Sequence, residues 1–132
     1  MTRDSFMIAC DRVSQAVDSG LFERLRWART EGPMLARLVD LAQATLEDRT
    51  EMELTEEGSS NDTKRFVLKV HGTRVIAIVV ALKDGQALVW AEEIERSRYR
   101  VAEGDPFRAD YALVDAAWMN GAFESLFDRI AA

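Results

Sequence analysis

A chain of 132 residues with 48% hydrophobic and 30% charged residues has the size and composition of one globular domain. Its formal net charge of −6 disfavours a general nucleic-acid-binding protein, because neutralising phosphates requires a basic surface. The single cysteine, Cys10, excludes an intrachain disulfide and a cysteine-rich zinc site. No signal-like N-terminus and no membrane-length apolar run is found, so we expect a single cytoplasmic domain over residues 1–132 without membrane association.

The first third of the chain predicts three helices. Apolar residues at spacings of four, three and four indicate a first helix that ends near Gly20; they are Phe6, Cys10, Val13 and Val17. A short second helix follows, and Trp27 lies off its apolar face, either exposed or reaching sideways into a neighbour. Gly32-Pro33 is expected to end that helix, with Pro33 at the first position of a third helix.

Residues 64–91 predict three antiparallel strands joined by two tight turns. His71-Gly72 and Asp84-Gly85 suit two-residue hairpin turns, whose central residues need positive φ. The first pairs expected beside the turns are Val70 with Thr73 and Lys83 with Gln86. An unbroken register places Phe66 and Leu68 on the face that carries Val75, Ala77 and Val79.

Both faces of this meander are apolar, so both need a cover. The N-terminal helices are expected to cover one face and the last helix the other. One helix is about 10 Å wide and strands lie about 4.8 Å apart, so a single helix covers only about two strands. The shortfall predicts a homodimer or protein-partner interface on that sheet face.

The remaining strands flank the meander. Residues 50–57 predict an edge strand with an acidic outer face, residues 95–101 a fourth strand, and residues 107–114 a fifth, with a helix from Ala109 as the rival interpretation. Asp115 is expected to cap a C-terminal amphipathic helix. The predicted fold is α+β: three N-terminal helices, an antiparallel β-meander of four to five strands, and a C-terminal amphipathic helix.

Three arginines form the clearest polar pattern. On a regular strand, Arg96, Arg98 and Arg100 point to one side at intervals of about 6.5–7 Å, which suits a phosphate, an acidic protein or an RNA backbone. The alternative is structural pairing with residues 92–95 or with the acidic strand near residue 53. Together with Trp27, these arginines are the candidate partner-binding residues.

Catalytic patterns are not found. His71 is the sole histidine and suits turn geometry, while Cys10 lies on an apolar stripe and is expected to be a buried, inert thiol. The carboxylates match no calcium loop, and the glycines form no phosphate cradle, so no catalytic, cofactor or metal site is predicted.

The prediction that follows is a small non-enzymatic protein-interaction module of the chaperone, inhibitor, immunity or adaptor type, acting through a sheet or helix surface. The alternatives are a small-molecule-binding domain with an apolar pocket between helices and sheet and, less favoured, an enzyme with a carboxylate/arginine site.

Overall fold

A computed structural model describes residues 3–132 and shows an α+β fold. The helices within this range are α1 (Arg3–Val17), α2 (Ser19–Ala44) and α3 (Ala116–Phe127), and a 3-10 turn spans Tyr111–Leu113. The strands are β1 (Met52–Glu56), β2 (Thr63–Val70), β3 (Thr73–Lys83), β4 (Gln86–Glu92), β5 (Arg100–Val101), β6 (Phe107–Asp110) and β7 (Ile130–Ala131). Two compact units divide the chain, one ending at Pro33 and the other comprising Met34–Ala132. Among the described helices, none combines the length and apolarity needed to cross a membrane.

The N-terminal region holds two helices, so the prediction of three is wrong. Gly20 lies in the first turn of α2, and Pro33 lies inside that helix and does not begin a new one. A proline ring clashes with the backbone N–H and the Cβ of the preceding residue, and Gly32 has no Cβ, which removes part of this barrier to helical backbone. Pro33 still lacks the N–H that would bond the Arg29 carbonyl, which costs about 3 kcal/mol in a helix interior.

The three-stranded meander is confirmed. His71 and Gly72 have φ of 51° and 78°, and Asp84 and Gly85 have φ of 53° and 74°, the positive values that a two-residue hairpin turn requires. The pairs beside these turns are Val70 with Thr73 and Lys83 with Gln86, as expected. The sheet order is β1-β2-β3-β4-β6, so the predicted edge strand is also confirmed in β1.

A β-bulge corrects the predicted faces of the first hairpin. Leu68 pairs with Ile76 while Lys69 pairs with Arg74, which leaves Val75 as an extra residue on β3. One extra residue reverses the side-chain alternation beyond it, since successive residues point to opposite faces. Phe66 and Leu68 therefore share a face with Ile76 and Ile78, not with Ala77 and Val79.

Both faces of the sheet are covered at its central strand, because residues 75–82 of β3 are all buried. On one face, Ile94 from the loop after β4 packs with Val67 and Ala77. The helices of the second unit supply further core residues, and α3 packs against β4. Fully buried side chains from these helices are Leu35, Leu38, Met119 and Leu126. A loop residue therefore supplies part of one cover, which the sequence analysis had assigned to helices and, where these fall short, to a partner.

The predictions for the C-terminal third are confirmed only in part. Only Arg100–Val101 of the expected fourth strand is extended, and it pairs with Ile130–Ala131 in a separate two-stranded ribbon. The predicted fifth strand ends at Asp110, where a 3-10 turn begins. Asp115 caps α3 as expected, because its Oδ1 accepts the Trp118 N–H at 2.8 Å.

Candidate functional site

The first unit presents a row of exposed apolar side chains, here called the apolar stripe. None of the described residues of α1 is buried. The exposed fraction is 81% for Val17, 61% for Val13, 57% for Phe6, 53% for Leu25 and 45% for Leu21. Cys10 belongs to the same row, so the expectation of a buried thiol is wrong. The apolar stripe consists of Phe6, Cys10, Val13, Val17, Leu21 and Leu25.

Backbone hydrogen bonds of Asp18 connect the end of α1 to the start of α2. The Asp18 N–H donates to the Ser14 carbonyl at 3.1 Å, and the Asp18 carbonyl accepts the Phe22 N–H at 2.9 Å. Both bonds join residues four apart, which is the α-helical pattern. Asp18 Oδ1 also accepts the Leu21 N–H at 3.0 Å, as an N-cap residue does. The stripe therefore crosses a helix junction, with Phe6 to Val17 on α1 and Leu21 and Leu25 on α2.

Several polar side chains between residues 23 and 31 of α2 contact one another. Arg26 Nε contacts Glu23 Oε2 at 3.1 Å, and its Nη1 lies 3.7 Å from Glu31 Oε1. The Thr30 hydroxyl donates to Glu31, and this bond is the main reason that the pKa of Glu31 is lowered. Trp27, one of the candidate partner-binding residues, is half-buried beside Gly32, where an added Cβ would lie 3.5 Å from its ring.

In the second unit, Arg96 and Arg98 lie on a loop anchored by Ser97, and Arg100 follows at the start of the two-residue strand β5. Ser97 is buried, and its hydroxyl donates to the carbonyl of Val75 at 2.6 Å. Val75 is the extra residue of the β-bulge and has no pairing partner on β2. The loop therefore supplies a hydrogen bond to the carbonyl of this unpaired residue. The Ser97 Oγ also accepts the Tyr99 N–H at 3.2 Å. We call Arg96, Arg98 and Arg100 the arginine loop.

Each arginine of this loop has a different environment. Arg96 has φ of 64°, a left-handed conformation incompatible with a regular strand. The Arg98 guanidinium lies 5.3 Å from the Tyr99 ring centroid and donates to its hydroxyl at 3.3 Å, which raises the pKa of Arg98. Arg100 donates to the Ser97 carbonyl at 3.1 Å and lies 3.9 Å from Glu93. The predicted one-sided stripe is therefore absent here, while partner binding by these residues stays a prediction.

An open acidic cleft of about 840 Å³ lies next to this loop. Glu92 on its wall accepts bonds from Arg65 Nε at 3.2 Å and Trp90 Nε1 at 3.0 Å, so that carboxylate is held in place. Arg129 also lines the cleft and lies 4.9 Å from the Phe107 ring. The acidic residues of its lining are Glu92, Glu93, Glu103 and Asp105.

A smaller groove of about 350 Å³ marks the part of one sheet face that is incompletely covered. Leu88 and Trp90 are half-buried there, and Pro106 forms part of the wall. It is more apolar than the acidic cleft, although Asp62 and Lys83 also lie along it. An uncovered sheet region is thus present, but it is small.

No catalytic constellation emerges from the part of the chain that the structure describes. His71 lies exposed on its hairpin turn, and residues 3–132 contain no group of three His, Cys, Asp or Glu side chains able to hold a metal. No protein-family model, curated protein or solved structure matches this chain. Sequence patterning detected the part of the apolar stripe from Phe6 to Val17 but expected it to be buried, because periodicity shows which residues share a face and not what covers that face. Its continuation through Leu21 and Leu25 was not predicted, because a helix end was expected near Gly20.

Proposed function

We propose that this chain is a small non-enzymatic protein-interaction module whose working surface is the apolar stripe. The observation that carries the proposal is the exposure of large apolar side chains at helical spacing along the first unit. Scattered apolar residues are normal on a protein surface, whereas a contiguous row marks an interaction site.

The free energy of binding a partner is lowered when the apolar stripe is buried against it. Fully burying a valine, leucine or phenylalanine side chain contributes about 1.5–3 kcal/mol, and the side chains here retain about half of their surface for that purpose. An amphipathic helix laid against another apolar surface is a recurring mode of protein recognition. A chaperone, inhibitor, immunity or adaptor role would use such a surface without requiring catalytic groups.

The test is a binding comparison between matched variants. Three baits are compared: the wild-type chain, a Val13→Asp/Val17→Asp variant and a Gln15→Asp control. The prey proteins include a differently tagged copy of the chain. Position 15 lies about 200° around the helix from position 13, so the control adds charge away from the stripe. Retention of the same protein by wild type and control, with loss in the double variant, supports the proposal. Equal retention by all three baits, or no retention by any, contradicts it.

A second candidate function is small-molecule binding, favoured by the groove beside Trp90. Its volume of about 350 Å³ falls at the lower end of the range for ligand pockets, about 300–1,000 Å³. Native mass spectrometry of the purified chain tests this function. A bound small molecule that is lost in Leu88→Glu and kept in Val13→Asp supports it, whereas an unliganded mass in every preparation opposes it.

A further inference from the structure

The outer side of β1 is an open edge of the five-stranded sheet. β1 is the end strand of the order β1-β2-β3-β4-β6, and the described residues place no strand beyond it. Two backbone bonds at its ends fix the direction of its backbone groups. The Glu51 carbonyl accepts the His71 N–H at 2.8 Å, and the Glu57 N–H donates to the Arg65 carbonyl at 2.9 Å. Residues 51 and 57 therefore direct their backbone groups toward β2.

The residues between them alternate in direction, as in any antiparallel ladder. Residues 53 and 55 also face β2, whereas Met52, Leu54 and Glu56 direct their backbone groups outward. The Met52 N–H donates to the Arg49 carbonyl at 3.1 Å. No residue from 3 to 132 bonds to the other outward groups, which are the Met52 carbonyl and the N–H and carbonyl groups of Leu54 and Glu56. Such a row of free donors and acceptors is a template for another strand.

β1 lacks most of the features that proteins use to block an open edge. It contains neither proline nor lysine, and it pairs with β2 without a register shift. The opposite edge differs, because Pro106 precedes β6 and has no N–H with which to extend it. The blocking feature that β1 does have is charge, since Glu53 and Glu56 are exposed. A negative edge repels acidic strands and attracts basic ones.

The negative charge of the chain is concentrated at this edge. Residues 47–57 carry six carboxylates and one arginine, so the rest of the chain accounts for a net charge of only −1. Three of these carboxylates contact basic side chains, in the pairs Glu51 with Arg49, Glu56 with Lys64, and Glu57 with Arg74. Glu47, Asp48 and Glu53 are exposed and form no ion pair with any residue of the described range 3–132. These three charges are available to a partner.

A second copy of β1 is a poor occupant of the edge. Two copies paired antiparallel about Leu54 would use all the outward groups, but Glu51 of each copy would then lie opposite Glu57 of the other. Like charges directly opposite one another destabilise a strand pair. Charge complementarity therefore favours a basic segment from another protein.

We propose that the outer edge of β1 binds an extended basic segment of a partner protein, which joins the sheet as an antiparallel strand opposite residues 52–56. The five outward groups allow up to five backbone hydrogen bonds over about 17 Å of strand. Basic side chains would lie opposite Glu53 and Glu56, and an apolar side chain would lie opposite the half-buried Leu54. This site lies in the second unit and does not rest on the apolar stripe.

A designed peptide, acetyl-Lys-Thr-Val-Lys-Val-amide, tests the site by NMR on the isotope-labelled chain. Its first lysine lies opposite Glu56, its central valine opposite Leu54 and its second lysine opposite Glu53. The Leu54 and Glu56 amides should exchange rapidly with solvent in the free chain and slow down when the peptide binds. The amides of residues 53 and 55 should be protected in both states. The Val13→Asp/Val17→Asp variant should bind the peptide as wild type does, which separates this site from the apolar stripe.

Methylated peptides test the strand geometry on the wild-type chain. N-methylation of the central valine removes the donor to the Leu54 carbonyl and should raise the dissociation constant about tenfold. N-methylation of the second lysine is the matched control, because its N–H points away from β1 and its loss should change the dissociation constant less than about twofold. An acidic peptide, acetyl-Glu-Thr-Val-Glu-Val-amide, should not bind.

Two variants at residue 56 test the same bond from the protein side. Glu56→Pro removes an outward N–H and leaves the ladder to β2 intact, whereas Glu56→Gln removes the same charge and keeps the donor. The basic peptide should therefore bind Glu56→Gln more tightly than Glu56→Pro. If Glu56→Pro does not fold, as judged by circular dichroism, the methylated peptides decide the question on the wild-type chain.

Four results would overturn the proposal. They are unprotected Leu54 and Glu56 amides at a basic-peptide concentration of about 1 mM, equal weakening by the two N-methyl groups, equal binding of the acidic peptide, and protection of both amides without peptide. In the last case, protection that rises with protein concentration would show that a second copy occupies the edge. Loss of peptide binding leaves the bait experiment on the apolar stripe unaffected, so the two proposals fail separately.

Discussion

Val13→Asp is the substitution that separates partner binding by the apolar stripe from folding most cleanly. Val13 lies within the stripe and is 61% exposed. Because most of its side chain faces solvent, its loss should change the free energy of unfolding by no more than about 0.5 kcal/mol. Its replacement should instead weaken binding of the protein that the stripe retains in the bait experiment.

The size of that effect follows from burial. Fully burying a valine contributes about 1.5–3 kcal/mol, so the exposed 61% of Val13 offers roughly 1–2 kcal/mol on binding. At about 1.4 kcal/mol for each tenfold change, the dissociation constant should rise about 5- to 30-fold. Desolvating the introduced carboxylate in the interface adds to this loss.

Calorimetric titration of the chain with the protein retained by the wild-type bait measures the dissociation constant directly. Gln15→Asp is the matched control, because it adds the same charge to the same helix on the opposite side. A circular-dichroism melt of each variant without the partner checks that the individual chains remain equally stable. Equal dissociation constants for Val13→Asp and Gln15→Asp would refute the reasoning, as would a loss of helix in Val13→Asp alone.

Four further outcomes are expected. Replacing Arg96, Arg98 and Arg100 together with serine should abolish any partner binding by the arginine loop while leaving the thermal midpoint of unfolding nearly unchanged. A large fall in that midpoint would assign the three arginines a structural role. Ser97→Ala should cost about 1–3 kcal/mol in denaturant unfolding, because the Val75 carbonyl loses its donor, and an unchanged midpoint would contradict this. Asp115→Ala should cost about 1 kcal/mol in the same assay, whereas Asp115→Asn retains the cap and should cost less. The Arg74 guanidinium donates to Glu57 at 2.8 Å and lowers the pKa of Glu57, so this carboxylate stabilises the fold above the usual glutamate pKa of about 4.3 and loses that effect as pH falls through the lowered pKa. Glu57→Gln should therefore melt below wild type at neutral pH and match it in strong acid; a gap that persists in acid would oppose this cause.

The predictions that succeeded depend on short stretches of chain. Positive φ at Gly72 and Gly85 is inexpensive for glycine, and His71 and Asp84 tolerate it, so each hairpin turn is encoded by two adjacent residues. Asp115 caps α3 through a backbone N–H only three residues away. The register beside each turn follows directly from the turn itself.

The predictions that failed depend on contacts between distant residues. The bulge at Val75 exchanges the faces of the first hairpin, and its carbonyl is satisfied by Ser97, which lies 22 residues later. The same anchoring helps to explain why Arg96 turns into a left-handed conformation where an extended strand was expected. Alternating residues alone predict a strand, but a loop that satisfies buried backbone can override them.

Sequence alone determined the part of the apolar stripe that lies on α1, from Phe6 to Val17, because helical spacing is a local property. Whether that stripe lies in a core or faces solvent depends on which elements pack around it, and only the tertiary structure decided this: Val13 and Val17 are exposed. Two apolar sheet faces were also evident from the sequence, yet the role of Ile94 in covering one of them was not. The periodicity of apolar residues shows which side chains share one face of a helix or strand. The packing of segments distant in the sequence determines whether that face is buried or exposed.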